Sequence, residues 1–249
     1  MPLYTAEAIV LRTYKLGEAD RIVVFLTRDR GKKRGVAKGA RRARSPFVGA
    51  LEPMTRARVA YFEKEQRELV SLNYAELLRS PLSAASPDGL SYVGYFADLI
   101  DQCAPDADPD ERLFRLGSAV VEGLGAGAPP ALLARYFEVW LLRFQGVYPS
   151  LSSCHSCGGA LEQGGAYLSS PHRVFLCGRC QRVADAPDLS PAAVAFVKRV
   201  AALPPEQLAD VSLSADVARE LEWVHRALIV AHLEREPRSS RVLRELEAP

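Results

Sequence analysis

The sequence predicts an α+β chain: an OB-type β-barrel at the N-terminus, then an α-helical bundle with an inserted four-cysteine zinc module. Short β-rich runs with glycine corners fill the first 80 residues, and after residue 86 the apolar residues recur at helical spacing. Two C-x-x-C pairs then interrupt the helical pattern, with 19 residues between them.

Residues 6–14 are rich in Ile, Val, Thr and Tyr and lead into Gly17, and residues 21–27 form a nearly continuous apolar run ending before Gly31. Residues 33–38 make a third candidate strand, residues 56–61 alternate as a fourth, and residues 69–74 make a fifth. Five short strands with tight corners fit a small closed or partly open barrel better than an open sheet.

The helices announce themselves by their starts. Ser86-Pro87-Asp88 reads as an N-cap with proline at the first helical position, followed by Tyr92, Phe96, Leu99 and Cys103 on one face. Asp108, with Glu111 three residues on, reads as a capping box for a second helix ending near residues 123–127. Pro129-Pro130 opens a third, whose wide apolar face (Leu133, Phe137, Trp140, Leu141, Phe144) marks it as the central helix. Ser190-Pro191 and Ser214 open two more, the last with Val217, Leu221, Val224, Leu228 and Ala231 in one stripe. These signals divide the chain into a barrel (residues 1–80), the first part of the bundle (81–150), the cysteine module (151–184) and the second part of the bundle (185–249).

A net charge of +2 conceals a strong asymmetry. Residues 1–79 carry 17 Lys/Arg against 9 Asp/Glu, net +8, and the remainder 15 against 21, net −6. Within residues 28–44, nine cations face one acid, Asp29. Such a run repels itself until a phosphate backbone supplies counter-charge, so Arg30, Lys32, Lys33, Arg34, Lys38, Arg41, Arg42 and Arg44 are candidate nucleic-acid contacts. Lys198 and Arg199 form a smaller basic spot on a later helix. Tyr14, Phe47, Tyr61 and Phe62 share the basic module and serve either as core or as platforms for base stacking.

Cys154, Cys157, Cys177 and Cys180 have zinc-ribbon spacing, with Gly158, Gly159 and Gly178 beside the knuckles. Four thiolates leave no open position for water, so one structural Zn2+ is expected rather than a catalytic one. His155 and His172 read as loop residues, Cys103 as core filler, and His225 and His232 as structural histidines.

No P-loop follows the lysines between Gly31 and Gly39, and the motifs G-x-S-x-G, H-E-x-x-H and the deaminase H-x-E are missing. The reading is therefore neither an enzyme nor a nucleotide-binding protein. The longest uncharged apolar runs, such as residues 228–233, are far short of the roughly 20 residues of a membrane helix, and residues 1–14 do not read as a secretion signal. No membrane partner and a cytoplasmic location are expected. An RNA-binding OB and zinc-ribbon protein is the rival reading, because RNA offers the same phosphates.

Several motifs resemble a known family. Glu18-Ala19-Asp20-Arg21, residues 22–27, Gly31, the run from Ala37 to Arg42, Ser45 and Leu51-Glu52-Pro53 resemble the N-terminal domain of the RecO DNA-repair proteins. Arg135-Tyr136-Phe137-Glu138, Leu141-Leu142, Gly146, Tyr148-Pro149 and the run into Cys154 resemble its central helical segment, and Ser240-Arg241 with Leu243 its C-terminal end. The resemblance implies a nucleoid-associated recombination mediator that binds single- and double-stranded DNA and anneals complementary strands. It also implies engagement of the single-stranded-DNA-binding protein and work with RecR to load recombinase. Lys38, Arg41 and Arg42 are the cations it favours for DNA.

Overall fold

A computed structural model describes residues 2–64, 67–83, 87–169, 173–181, 186–203 and 205–247. Contacts group the chain into two units, Met1–Gly127 with Arg238–Pro249, and Ala128–Pro237. Residues 81–127 and 238–249, expected in the bundle, thus group with the barrel.

In the first unit, β1 (Leu3–Leu16), β2 (Asp20–Thr27), β3 (Gly31–Ala37), β4 (Arg56–Phe62) and β5 (Val70–Arg79) close a barrel in the order β1-β2-β3-β5-β4. β1 also pairs antiparallel with β4, and β3 runs parallel to β5. Alternation sends Ala6, Ala8, Val10, Val23, Phe25 and Tyr61 inward, where Phe25 and Tyr61 meet edge-on at 5.8 Å. Small alanines from neighbouring strands make room for those two rings. At Gly35 a Cβ would lie 2.1 Å from Leu72 Cδ1, so only hydrogen fits there. Phe47, Ala50 and Leu51, from the connection between β3 and β4, complete this core. A bulge between Val10 and Arg12 shifts the register of β1. Beyond it, Arg12, Tyr14 and Leu16 lie opposite Val24, Ile22 and Asp20 on the outside of the sheet.

The barrel's outer wall is also apolar along part of its length: Ile9, Leu11, Val24 and Leu26 are buried. Helices α1 (Pro87–Cys103) and α2 (Glu111–Gly125) pack on β1, close enough that a Cβ on Gly117 would lie 2.8 Å from Ile9 Cδ1. Ion pairs tie the same surfaces together: Arg12 with Asp98 at 2.6 Å, Arg28 with Glu111 at 3.2 Å and Arg56 with Glu122 at 2.7 Å.

The cap of α2 differs from the sequence expectation. Asp110, not Asp108, accepts from the Leu113 N–H at 3.0 Å. Asp108 is occupied elsewhere: its backbone lies 2.4–2.7 Å from where a Cβ on Gly31 would sit, and Gly31 has φ +68°. The neighbouring residues Pro105 and Ala107 hydrogen-bond the backbone of Lys32, completing the half of β3 that β5 leaves unpaired. The Ser86 cap expected for α1 falls outside the described residues.

The sequence reading missed one helix. In α6 (Arg238–Glu247) Ser240 and Leu243 are buried while Val242 and Leu246 are exposed, too weak a stripe to read as a core-facing helix. It packs on α1, where Ser239 donates from both its N–H and its hydroxyl to Asp98.

In the second unit, α3 (Pro130–Phe144) packs against α4 (Pro191–Ala202) and α5 (Ala215–Leu233). Ser190 and Ser214 cap α4 and α5 by accepting from the Ala193 and Val217 N–H groups. Inside this unit lies a polar chain. Arg135 donates to Glu138 at 2.7 Å, Glu138 meets His225 Nδ1 at 2.8 Å, and His225 Nε2 meets the Tyr148 hydroxyl at 3.1 Å. Glu138 and His225 are almost wholly buried. The carboxylate requires a proton on Nδ1, so in the neutral ring Nε2 accepts from Tyr148. Burial depresses the His225 pKa and outweighs the opposing pull of Glu138.

Candidate nucleic-acid interface and metal centre

The turn between β1 and β2 and the connection after β3 are fastened to one another. The Gly39 N–H donates to Asp20 Oδ1 at 2.7 Å, and the Arg41 N–H donates to the Ala19 carbonyl at 2.9 Å. The Arg41 guanidinium donates to the Glu18 carbonyl at 2.8 Å. Two further turns, Arg42 N–H to Gly39 O and Ser45 N–H to Arg42 O, fold the rest of the loop tightly. The hairpin end of the barrel thereby carries Lys38, Arg41, Arg42 and Arg44, all exposed, with Lys15 exposed on β1 and Arg34 on β3. Among the described residues, Lys15, Arg34, Lys38, Arg42 and Arg44 have no acidic partner within 4 Å.

The other candidates of the basic run, Lys32, Lys33 and Arg30, are engaged within the protein. Lys32 is 9% exposed; its ammonium donates to the Asp101 carbonyl at 2.6 Å and lies 3.5 Å from Asp101 Oδ1 and 3.4 Å from Asp106 Oδ1. It anchors α1 and the following linker to β3. Lys33, 12% exposed, bonds Glu63 at 2.6 Å. Arg30 stacks over the Tyr4 ring at 4.0 Å and lies 3.8 Å from Asp29. On α4, Lys198 is paired with Glu162 and lines a cleft of about 400 Å³ with Arg143 and Tyr148, whereas Arg199 is exposed. Sequence cannot anticipate these pairings, because the acids are supplied from up to 74 residues away, as Asp106 is for Lys32.

The four aromatic candidates separate in the same way. Phe47 and Tyr61 are core, Phe62 is partly buried, and Tyr14 is 49% exposed.

In the second unit, the sulfurs of Cys154, Cys157, Cys177 and Cys180 all lie within 4.8 Å of one another. Tight turns bring each pair round: Gly158 N–H to Cys154 O at 2.9 Å in the first knuckle, Cys180 N–H to Cys177 O at 2.9 Å in the second. The antiparallel strands β6 (Ala166–Ser169) and β7 (Val174–Leu176) lead the second pair back to the first, and β8 (Asp188–Leu189) joins this sheet beside α4 and α5. The His155 N–H bonds the Phe175 carbonyl at 3.0 Å, fixing the first knuckle to β7, while its ring is not among the clustered donors. His172 lies outside the described residues. Cys103, elsewhere on α1, is half-buried, and desolvation pushes its thiol up to about 12.

The donor set fits a metal ion. A tetrahedral site with bonds of about 2.3 Å places its sulfurs roughly 3.8 Å apart, and Cys157 and Cys177 stand at 3.7 Å. Burial alone would raise the Cys154 thiol, but N–H donors from Cys157, Cys177 and Ser156 outweigh it and bring it down to about 6. Cys177 is lowered chiefly by the backbone N–H of Cys180. These N–H donors favour the thiolate, the form that binds metal, at Cys154 and Cys177, whereas hydrogen bonds with the Cys157 and Cys177 sulfurs push Cys180 up to about 11.

Known proteins are similar in sequence to this chain. Residues 1–81 match the family model described as Recombination protein O N terminal, and residues 85–241 match Recombination protein O C terminal. The chain belongs to the RecO family. Among RecO relatives, the DNA repair protein RecO of Geobacter metallireducens is 35% identical over 242 residues, 97% of each chain. That of Desulforudis audaxviator is 34% identical over 248 residues, 99% of this chain and 98% of the relative. That of Koribacter versatilis reaches 44% over 162 residues, 64% of this chain and 66% of the relative. The RecO N-terminal match ends two residues beyond β5, so it coincides with the barrel. The RecO C-terminal match takes in α1 to α5 and the cysteine cluster.

Proposed function

We propose that this chain is a non-catalytic recombination mediator in DNA repair, acting in the cytoplasm on the nucleoid. It binds single- and double-stranded DNA through the hairpin end of the barrel. The observation that carries this reading is the group of exposed cations Lys38, Arg41, Arg42 and Arg44, tethered to the β1–β2 turn and bordered by Arg34. Lys38, Arg34, Arg42 and Arg44 contact phosphates; Arg41 does so while also holding the turn. Arg199, and Lys198 when released from Glu162, are further contacts, on the second unit. Lys32, Lys33 and Arg30 have structural work and are not assigned to DNA.

The activity follows from charge. Two complementary strands repel each other through their phosphates; cations held on a rigid barrel lower that repulsion, and bases then meet without nucleotide hydrolysis. Annealing of strands coated by the single-stranded-DNA-binding protein and assistance to recombinase loading with RecR complete the role. The metal is one Zn2+ held by Cys154, Cys157, Cys177 and Cys180, closed to water and structural.

The test is DNA affinity as a function of salt. Five phosphate contacts on a single strand, at a log–log slope of about −0.7 each, weaken binding roughly a hundredfold between 50 and 200 mM salt. Replacing Lys38, Arg42 and Arg44 together with alanine should flatten that slope by about 2. An unchanged slope refutes the interface, and strong preference for a matched RNA strand favours an RNA-binding role instead.

A further inference from the structure

The strand register exposes an apolar surface on the outside of the sheet beside these cations. Arg12, Val24 and Arg34 form one cross-strand row, Tyr14, Ile22 and Val36 the next, and Leu16 and Asp20 the last before the turn. In the first row Asp98 and Asp101, both on α1, hold Arg12, and Val24 is buried. The second row is open: Tyr14 is 49% exposed, Ile22 and Val36 are partly exposed, and Leu16 beyond them is 38% exposed. The Tyr14 ring makes no aromatic or cation–π contact, and its hydroxyl has no hydrogen-bond partner, among the described residues.

We propose that the row Tyr14–Ile22–Val36 is a stacking platform for unpaired nucleobases, with Tyr14 the stacking side chain. The proposal rests on the DNA-binding reading above and deepens it, since it states how a single strand is distinguished from a duplex. Three neighbouring strands about 4.8 Å apart make a row roughly 10 Å wide, room for one or two bases. Arg34 and Lys38, both without an acidic partner among the described residues, flank the row on β3 and just beyond it, where the phosphates of a strand laid across the sheet would run. Of the nearby acids, Asp20 is engaged by the Gly39 N–H and Glu52 lies 3.6 Å from Arg21; Glu18 is exposed in the turn. A lone exposed tyrosine needs no explanation. One continued by Ile22 and Val36 and bordered by unpaired cations has the make-up of a single-strand site, where every base offers a π face and every linkage a charge. Duplex DNA has its bases stacked inside and reaches only the cations.

The experiment measures affinity of the full chain for a fluorescein-labelled oligothymidine and for a labelled duplex, across a salt series. Tyr14→Ala should weaken single-strand binding about tenfold, within the range for losing one base–aromatic stack, leaving duplex affinity and both salt slopes unchanged. Tyr14→Phe should restore wild-type affinity. In Tyr14→Trp, oligothymidine should quench the new indole and duplex should not. An equal loss for single strand and duplex, no loss for Tyr14→Ala, or quenching of the indole by an acidic peptide but not by oligothymidine overturns the platform while leaving the cationic interface standing. If the wild-type chain binds neither DNA, both readings fall together.

Discussion

Lys32 separates a charge that builds the fold from a charge that binds a ligand. Its ammonium is almost fully buried against the Asp101 carbonyl and the carboxylates of Asp101 and Asp106. Removing one partner of a buried pair typically costs about 3–5 kcal/mol, because the other charge is stranded. Here the cost is smaller: Asp101 keeps Arg12 at 3.4 Å, and Asp106 is 73% exposed and returns to water. About 2 kcal/mol is expected for Lys32→Met, which preserves the packing of the stem, and somewhat more for Lys32→Ala. For a chain of this size that corresponds to a fall in Tm of roughly 4–8 °C. Thermal or urea unfolding of both variants, beside Lys38→Ala, gives the comparison. Lys32→Met should lower Tm and leave the salt slope of DNA binding alone; Lys38→Ala should keep Tm and flatten the slope by about 0.7. If Lys32→Met melts with the wild type and flattens the slope, the assignment of Lys32 to the fold is wrong.

Further outcomes follow from the same geometry. Removing metal with a chelator, or Cys154→Ser, should lower the melting temperature of the chain, with one zinc per chain found by elemental analysis beforehand; identical melting of treated and untreated protein argues against a structural site. The His225 pKa is lower folded than unfolded, so its contribution is intact above the unfolded value of about 6.5 and is lost as pH falls through the folded pKa. Between about pH 7 and pH 5.5, stability should therefore decline in the wild type, and more steeply than in His225→Gln, which a pH series of urea melts measures. Gly31→Ala meets both a φ of +68° and the Asp108 backbone, and should cost about 3 kcal/mol or prevent folding. Gly17→Ala has φ +58° but open space around it, and urea unfolding should register only about 1 kcal/mol.

Local chemistry was enough for the parts of this protein whose cause is local. The positions of the five barrel strands follow from β-rich or apolar runs and glycine corners, with two-residue alternation in the fourth, and the starts of α4 and α5 from serine caps that the structure retains. The cysteine cluster is legible because each C-x-x-C spacing nearly dictates its own turn, leaving only the closure of two knuckles to the fold. Cap choice at α2 was not legible: Asp108 and Asp110 are equally good residues, and the close approach of Asp108 to Gly31 decides between them. Nor was α6, whose burial depends on α1 being beside it.

What tertiary structure alone decided is which charges remain available. Nine cations in seventeen residues look equivalent in the sequence, yet Lys32, Lys33 and Arg28 are neutralised by acids from distant segments, and Arg30 lies over the Tyr4 ring. Among the described residues, Lys38, Arg42 and Arg44 remain without such partners. Alternation and turn formation act over a few residues and are written in order along the chain, whereas an ion pair depends on a distance in space that only the closed barrel and its packed helices set.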